Sequence, residues 1–220
     1  MSNRIVNIRG ANGSGKSTVV RRILEFYGEG TVEAFTPPGR KRPLYYTCER
    51  VGYVPLKILG GYETPTGGCD TILDVSVVFD LAKTFADAGF DVLYEGILAQ
   101  HSAPRLLELH KAYNVTVIVL TTPIEDCVES VRQRRRDRGD ERELDPTNVQ
   151  KEFKSVLSST RRLQGEGVKI LKLDREAAFA QVKAILEDPA YHQCEDCQDD
   201  PPGTCEKLSR PLPSPSPVTT

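Results

Sequence analysis

The chain has 220 residues, 39% of them hydrophobic, with 29 Lys and Arg against 31 Asp and Glu for a formal charge of −2. That is enough for one α/β domain with an appendage, and the near-neutral balance makes no case by itself for nucleic acid. No apolar run has the length of a membrane span, the opening Met1-Ser2-Asn3-Arg4 is not a signal peptide, and six scattered cysteines do not form a disulfide framework, so a reduced cytoplasmic setting is expected.

In chain order the pattern alternates strand and helix. Residues 5–8 are an apolar strand, followed by a glycine-rich loop and a helix over 17–27 whose Val20, Ile23, Leu24 and Tyr27 share one side. Residues 31–35 read as a short strand. Residues 36–72 then break the pattern with Pro37-Pro38-Gly39, Gly60-Gly61 and Pro65-Thr66-Gly67-Gly68, and within them 44–47 and 53–59 alternate like a β-hairpin. Residues 72–88 are a helix stopped by Gly89, 90–94 a strand ending in Glu95-Gly96, and 102–113 a helix. Residues 115–120 form a continuously apolar strand, 123–138 and 147–164 two helices, 168–173 the last strand and 176–187 the last helix. Five strands alternating with helices predict a three-layer α/β/α P-loop fold with a five-stranded parallel sheet of order 2-3-1-4-5 and ligands at the strands' carboxyl ends. Residues 1–188 are expected to be one domain, with a substrate insert at 36–72 and a lid at 132–146. The proline- and acid-rich stretch 189–220 reads as a flexible tail.

The loop Gly10-Ala11-Asn12-Gly13-Ser14-Gly15-Lys16-Ser17-Thr18 is a complete G-x-x-x-x-G-K-S motif, with a strand before it and a helix after it as its chemistry requires. Its backbone N–H groups can wrap the β-phosphate of a nucleotide such as ATP. Lys16 would reach the β- and γ-phosphates and the Ser17 hydroxyl would hold Mg²⁺. The alternative, a surface turn that matches by chance, does not account for the flanking strand and helix.

Glu95 closes an otherwise apolar strand, where Mg²⁺-water coordination or base catalysis often originates in such proteins; the bland reading is a solvated acid in a connecting loop. Arg132, Arg134, Arg135, Arg136, Arg138 and Arg142 crowd eleven residues. Planar guanidiniums answer the charge on a transferring phosphoryl group, and Arg132 and Arg136 are the ones expected to close over it. The alternative is a solvated face paired with Asp137, Asp140, Glu141 and Glu143. In the insert, Lys57, Tyr62, Glu63 and Asp70 are the expected acceptor contacts: Tyr62 to stack on a base, Asp70 to take a proton from a hydroxyl or, with Thr71, to cap the following helix. Arg40, Lys41, Arg42 and Lys57 put positive charge around the same insert. In the tail, His192, Cys194, Cys197 and Cys205 make an incomplete zinc set, to be weighed against a flexible acidic extension.

The order of phosphate loop, insert, acid-ending strand and arginine-rich segment resembles the P-loop nucleotide and nucleoside kinases over about residues 3–187. The Asp-Arg pair usual in that group after the third strand is replaced here by Glu95-Gly96. More narrowly, Gly60-Gly61-Tyr62-Glu63-Thr64-Pro65-Thr66-Gly67-Gly68-Cys69-Asp70-Thr71 with Tyr94-Glu95-Gly96-Ile97 resembles the bacteriophage 5-hydroxymethyluracil DNA kinases. That resemblance implies ATP- and Mg²⁺-dependent phosphorylation of the hydroxymethyl group on a modified base in DNA, in the host cytoplasm, as a step in thymidine hypermodification. Lys16 would then stabilise charge at the β–γ bridge, Arg132 and Arg136 would close the site, and Glu95 or Asp70 would be the base. A kinase of a free nucleoside or other small alcohol would use the same parts, and a nucleotide-gated interaction protein would use the loop alone.

Overall fold

The computed structural model describes residues 4–28, 31–64, 67–140 and 142–187. A single mixed sheet is built from β1 (Arg4–Arg9), β2 (Thr31–Phe35), β3 (Tyr45–Glu49), β4 (Leu56–Leu59), β5 (Asp91–Glu95), β6 (Asn114–Leu120) and β7 (Lys169–Leu173), in the order β2-β3-β4-β5-β1-β6-β7. The helices are α1 (Lys16–Gly28), α2 (Val75–Asp87), α3 (Ile97–His101), α4 (Ala103–Ala112), α5 (Ile124–Arg136), α6 (Thr147–Gly165) and α7 (Arg175–Leu186), with a short 3-10 turn at Cys69–Thr71.

The sheet corrects the expected five parallel strands. β4, β5, β1, β6 and β7 do pair in parallel, but β3 and then β2 extend the sheet antiparallel beyond β4. The segment read as second strand, β2, is therefore the outer edge, and the place beside β5 belongs to β4 from the insert. Burial explains the exchange. β4 reads Leu56-Lys57-Ile58-Leu59 and is buried at all four positions, as a strand flanked on both sides must be. β2 carries Glu33 and is mostly exposed, which suits an edge. Two smaller differences accompany it: α3 is a separate one-turn helix ahead of α4, and α5 ends at Arg136.

Strand alternation splits the core into two layers. Ile5 of β1 faces the side covered by α2, α4 and α6, with Val78, Phe79, Leu106 and Val156, while Val6 and Ile8 face α1 and α7, with Val19, Ile23, Ala178 and Val182. Each fully buried aliphatic side chain contributes about 1.5–3 kcal/mol. A third cluster joins the phosphate loop to α5 through Ala11, Cys127, Val128, Val131 and Leu144. Where β1 and β5 begin, Arg4 clamps the two strands together: its backbone N–H and Nε each donate to the Asp91 carboxylate at 2.9 Å, with a 2.7 Å ion pair.

Cys48, Cys69 and Cys127 are buried free thiols, and burial pushes Cys48 up to about 12. No helix among the described residues is long and apolar enough to cross a membrane, and no cluster of three metal-ligating His, Cys, Asp or Glu occurs among them. The tail 189–220 and its His192, Cys194, Cys197 and Cys205 lie outside the described residues.

Candidate active site

β1 and β5 are parallel neighbours with Ile8 opposite Glu95, so the loop that follows β1 and the acid that ends β5 arrive at the same edge of the sheet. A cavity of about 540 Å³ opens there, within the range of sites that take a small ligand. Asn12, Gly13, Gly15, Lys16, Ser17 and Thr18 line one part of it. The Lys16 ammonium donates to the carbonyls of Gly10 (2.8 Å) and Ala11 (3.2 Å), which draws the loop into a ring around it. Gly13 has φ +88°, and a Cβ there would lie 2.1 Å from the Cys127 carbonyl, so only glycine lets the loop seat against α5. Two side chains that the motif does not announce hold the loop from outside. Gln100 accepts from the Gly10 N–H (3.2 Å) and donates to Glu152, and the Thr122 hydroxyl donates to the Ser14 carbonyl (2.8 Å).

At the cavity floor the Ser17 hydroxyl donates to Glu95 Oε1 at 2.8 Å. Glu95 is 1% exposed, and burial pushes its carboxyl up to about 7. Lys16 and the Ser17 hydrogen bond pull the other way, and the charge of Asp70 adds to the rise. A Cβ on Gly68, at φ +81°, would meet Glu95 Oε1 at 2.1 Å, so the insert's backbone lies directly over this carboxylate. The Ser17 hydroxyl and the Glu95 carboxylate are hard oxygen donors. They fit Mg²⁺, which is commonly held by one or two protein oxygens together with substrate phosphates and water.

Asp70 also lines the cavity, from the insert side with Thr71 and Gly67. Its Oδ2 accepts from the Ile97 N–H (3.0 Å) and its Oδ1 from the Leu98 N–H (3.2 Å), so it braces the start of α3. The cap of α2 is instead Asp74, which accepts from the Ser76 N–H at 2.8 Å. That corrects the capping alternative: Asp70 does cap, but across the cavity and not on the helix that follows it.

The other expected acceptor contacts lie elsewhere. Tyr62 is 4% exposed, its hydroxyl donating to the Leu59 carbonyl at 3.3 Å, and a ring so covered offers no face to a base. Lys57 is buried on β4, with Nζ bonded to Thr47 Oγ1 (2.6 Å) and 4.5–5.0 Å from the ring centroids of Tyr45, Phe85 and Phe90. Burial lowers its pKa, and it is core structure. Glu63 accepts from the Tyr46 hydroxyl at 2.7 Å, which ties the insert to β3.

The arginines of α5 divide between solvent and cavity. Arg132 and Arg136 point to solvent and pair with Glu129 at 3.7 and 2.6 Å. Arg134 is the one at the cavity, with Ser130 and Gln133 beside it. Its Nη2 donates to Asn12 Oδ1 (2.8 Å) and its Nε to the Ser130 carbonyl (3.3 Å), and burial lowers its pKa. Cys127 seats α5 on Gly13, and positions one and two helical turns on, 130 and 134, follow the same side. That signal was available once Cys127 was taken as the anchor. Arg21, one turn past Ser17, and Arg175, which opens α7 and packs against Gly15, also line the cavity. Nothing in their local sequence marks them.

Residues 75–182 match the Zeta toxin family. Over 186 residues the chain is 41% identical to the "5-hmdU DNA kinase" of Pseudomonas phage PaMx11, covering 84% of this chain and 97% of that protein. Over 193 residues it is 23% identical to the protein of the same name from Pseudomonas phage M6, covering 84% and 98%. Among solved structures it is similar to a deoxyadenosine kinase from M. mycoides, with a TM-score of 0.46 and 11% identity, covering 83% of this chain and 98% of that one.

Proposed function

The chain belongs to the phage 5-hmdU DNA kinase family, and from that premise we propose that it transfers the γ-phosphate of ATP to the 5-hydroxymethyl oxygen of a hydroxymethylated uracil in phage DNA. The observation that carries this is one cavity holding both halves of the chemistry: Lys16 and the Ser17–Glu95 pair on its donor side, and Asp70 on its other side. Lys16, Arg21, Arg134 and Arg175 give the donor side four cations for a triphosphate. Mg²⁺, bound with the nucleotide, would be held by Ser17 with Glu95 behind it and would offset charge on the β- and γ-phosphates.

In the transfer step the acceptor oxygen bonds to the γ-phosphorus as the bridging P–O bond breaks, and ADP leaves with that electron pair. The hydroxymethyl proton passes to the Asp70 carboxylate, which two backbone N–H groups hold in place. Asp70 is favoured over Glu95 as base because it is exposed to the cavity, whereas Glu95 is buried and engaged by Ser17. We assign the kinase unit to residues 1–188, acting in the cytoplasm of an infected host, with 189–220 outside it.

Labelled ATP offered with hydroxymethyluracil-containing DNA, with free 5-hydroxymethyldeoxyuridine and with unmodified DNA tests this. Label is expected on the modified polymer alone. Label on the free nucleoside but not on the polymer overturns the DNA acceptor, and binding of ATP without transfer to any acceptor overturns the kinase.

A further inference from the structure

We propose that the insert side of the cavity is a base-extrusion surface for duplex DNA, with Leu73 as the apolar wedge and the turn Arg40-Lys41-Arg42 as its phosphate contact. The inference rests on the DNA-kinase reading and adds to it how a paired base would reach the cavity.

Four large apolar side chains are exposed among the described residues: Phe35, Val51, Leu73 and Leu98. An isolated exposed leucine needs no explanation. Two of these four, however, flank the same carboxylate. Leu73, at 94% exposure, follows Asp70 by three residues, and the backbone N–H of Leu98, half exposed, donates to Asp70 Oδ1. Ile72 between Asp70 and Leu73 is buried, which pins the segment to the core and leaves Leu73 projecting.

The cations are fixed to the same segment. Arg40 Nη2 donates to the Thr71 carbonyl at 3.1 Å and its Nε to the Arg42 carbonyl at 3.4 Å, so the turn between β2 and β3 is fastened beside Asp70. Arg42 reaches the cavity, and Lys41 is exposed on the turn between them. The basic turn is thus hydrogen-bonded to Thr71, between the cavity-lining Asp70 and the exposed Leu73.

The 5-hydroxymethyl group of a stacked, paired uracil lies within the major groove, and in the proposal the nucleotide rotates out of the duplex to seat it in the cavity beside Asp70. Proteins that open a base step do so with an exposed Leu, Phe, Ile or Met inserted into the stack. Cations on the neighbouring phosphates hold the strand in register without reading sequence. Leu73 supplies the first requirement and Lys41 with Arg42 the second.

The test uses the full chain with one oligonucleotide carrying a single hydroxymethyluracil. It is presented single-stranded, paired with adenine in a duplex, and opposite an abasic site. Leu73→Ala and Leu73→Ser are expected to lower the duplex-to-single-strand ratio of kcat/KM about tenfold, and the abasic partner to restore it, because an unpaired base costs less to extrude. Lys41→Glu is expected to raise KM for both polymers and to flatten the salt dependence. An unchanged ratio in both Leu73 variants, with wild type active on the duplex, overturns the wedge and leaves the DNA kinase standing. Wild type that phosphorylates single strand and never duplex also overturns the wedge alone. Wild type that phosphorylates no polymer overturns the DNA kinase and the wedge with it.

Discussion

The donor and acceptor sides of the cavity are built in opposite ways. On the donor side the proposed phosphate cradle is one run of backbone, residues 10–18, whose shape follows from glycine placement and a strand-to-helix junction. The acceptor side is assembled from Arg40–Arg42, Gly67–Thr71 and Ile97–Leu98, segments that meet only because β4 inserts beside β5 and the insert folds over Glu95. A site made of consecutive N–H groups travels with its sequence. One made of side chains from remote segments depends on the topology that gathers them.

Substitutions can sharpen that contrast. Lys16→Ala should have the largest effect, a loss of transfer of roughly 10³-fold or more measured with labelled ATP and modified DNA. A loss below tenfold would break the donor-side assignment. On the acceptor side, Asp70→Asn should lower kcat about 10²- to 10³-fold with little change in KM for ATP. Glu95→Gln should instead raise the Mg²⁺ concentration needed for half-maximal rate. Reversal of those two signatures would exchange the roles of the two acids.

Glu95 also makes a stability prediction. Its carboxyl is raised to about 7 in the fold from an ordinary value near 4.5, so between those values the folded protein holds a proton that the unfolded chain releases. Its contribution is therefore fully present below about pH 4.5 and is lost as pH rises through 7. Without nucleotide and metal, Glu95→Gln should be more stable than wild type at pH 8, by on the order of 3 kcal/mol, with the difference vanishing toward pH 4. Denaturant melts at the two pH values check it, and a pH-independent difference would contradict it.

The arginines of α5 give the smaller effects. Arg134→Ala should lower kcat/KM for ATP by roughly tenfold, since it removes both a cation and the brace on Asn12. Arg132→Ala and Arg136→Ala should stay within about twofold, because Arg132 makes an exposed pair with Glu129 and Arg136 adds to its own exposed Glu129 pair only exposed hydrogen bonds to Gln133. Equal losses at all three positions would mean that the whole segment closes on the nucleotide as a lid.

Much of the fold was legible. β1, α1, β6 and α6 follow from apolar period and end signals within a residue or two. The sheet's edge was not, because β2 and β4 are both short segments with apolar residues, and local pattern does not say which one is flanked on both sides. The same limit hid Tyr62 and Lys57. A glycine-rich insert looks exposed when read along the chain, but β4 is buried between β3 and β5, and Tyr62 just beyond it turns inward. In α5 the sequence supplied four arginines and a helical period but not the phase, and the phase is set by Cys127 packing on Gly13.

The sequence by itself determined the phosphate loop and the acid at the end of a buried strand, because each is written in contiguous residues, and through the insert's resemblance it pointed to a hydroxymethylated base without separating polymer from free nucleoside. Only the tertiary structure decided which strand lies beside β5, which arginine of α5 lines the cavity and which side of the cavity each carboxylate occupies. Those are questions of which remote surfaces are pressed together, and they are answered by burial summed over the whole sheet rather than by any local pattern.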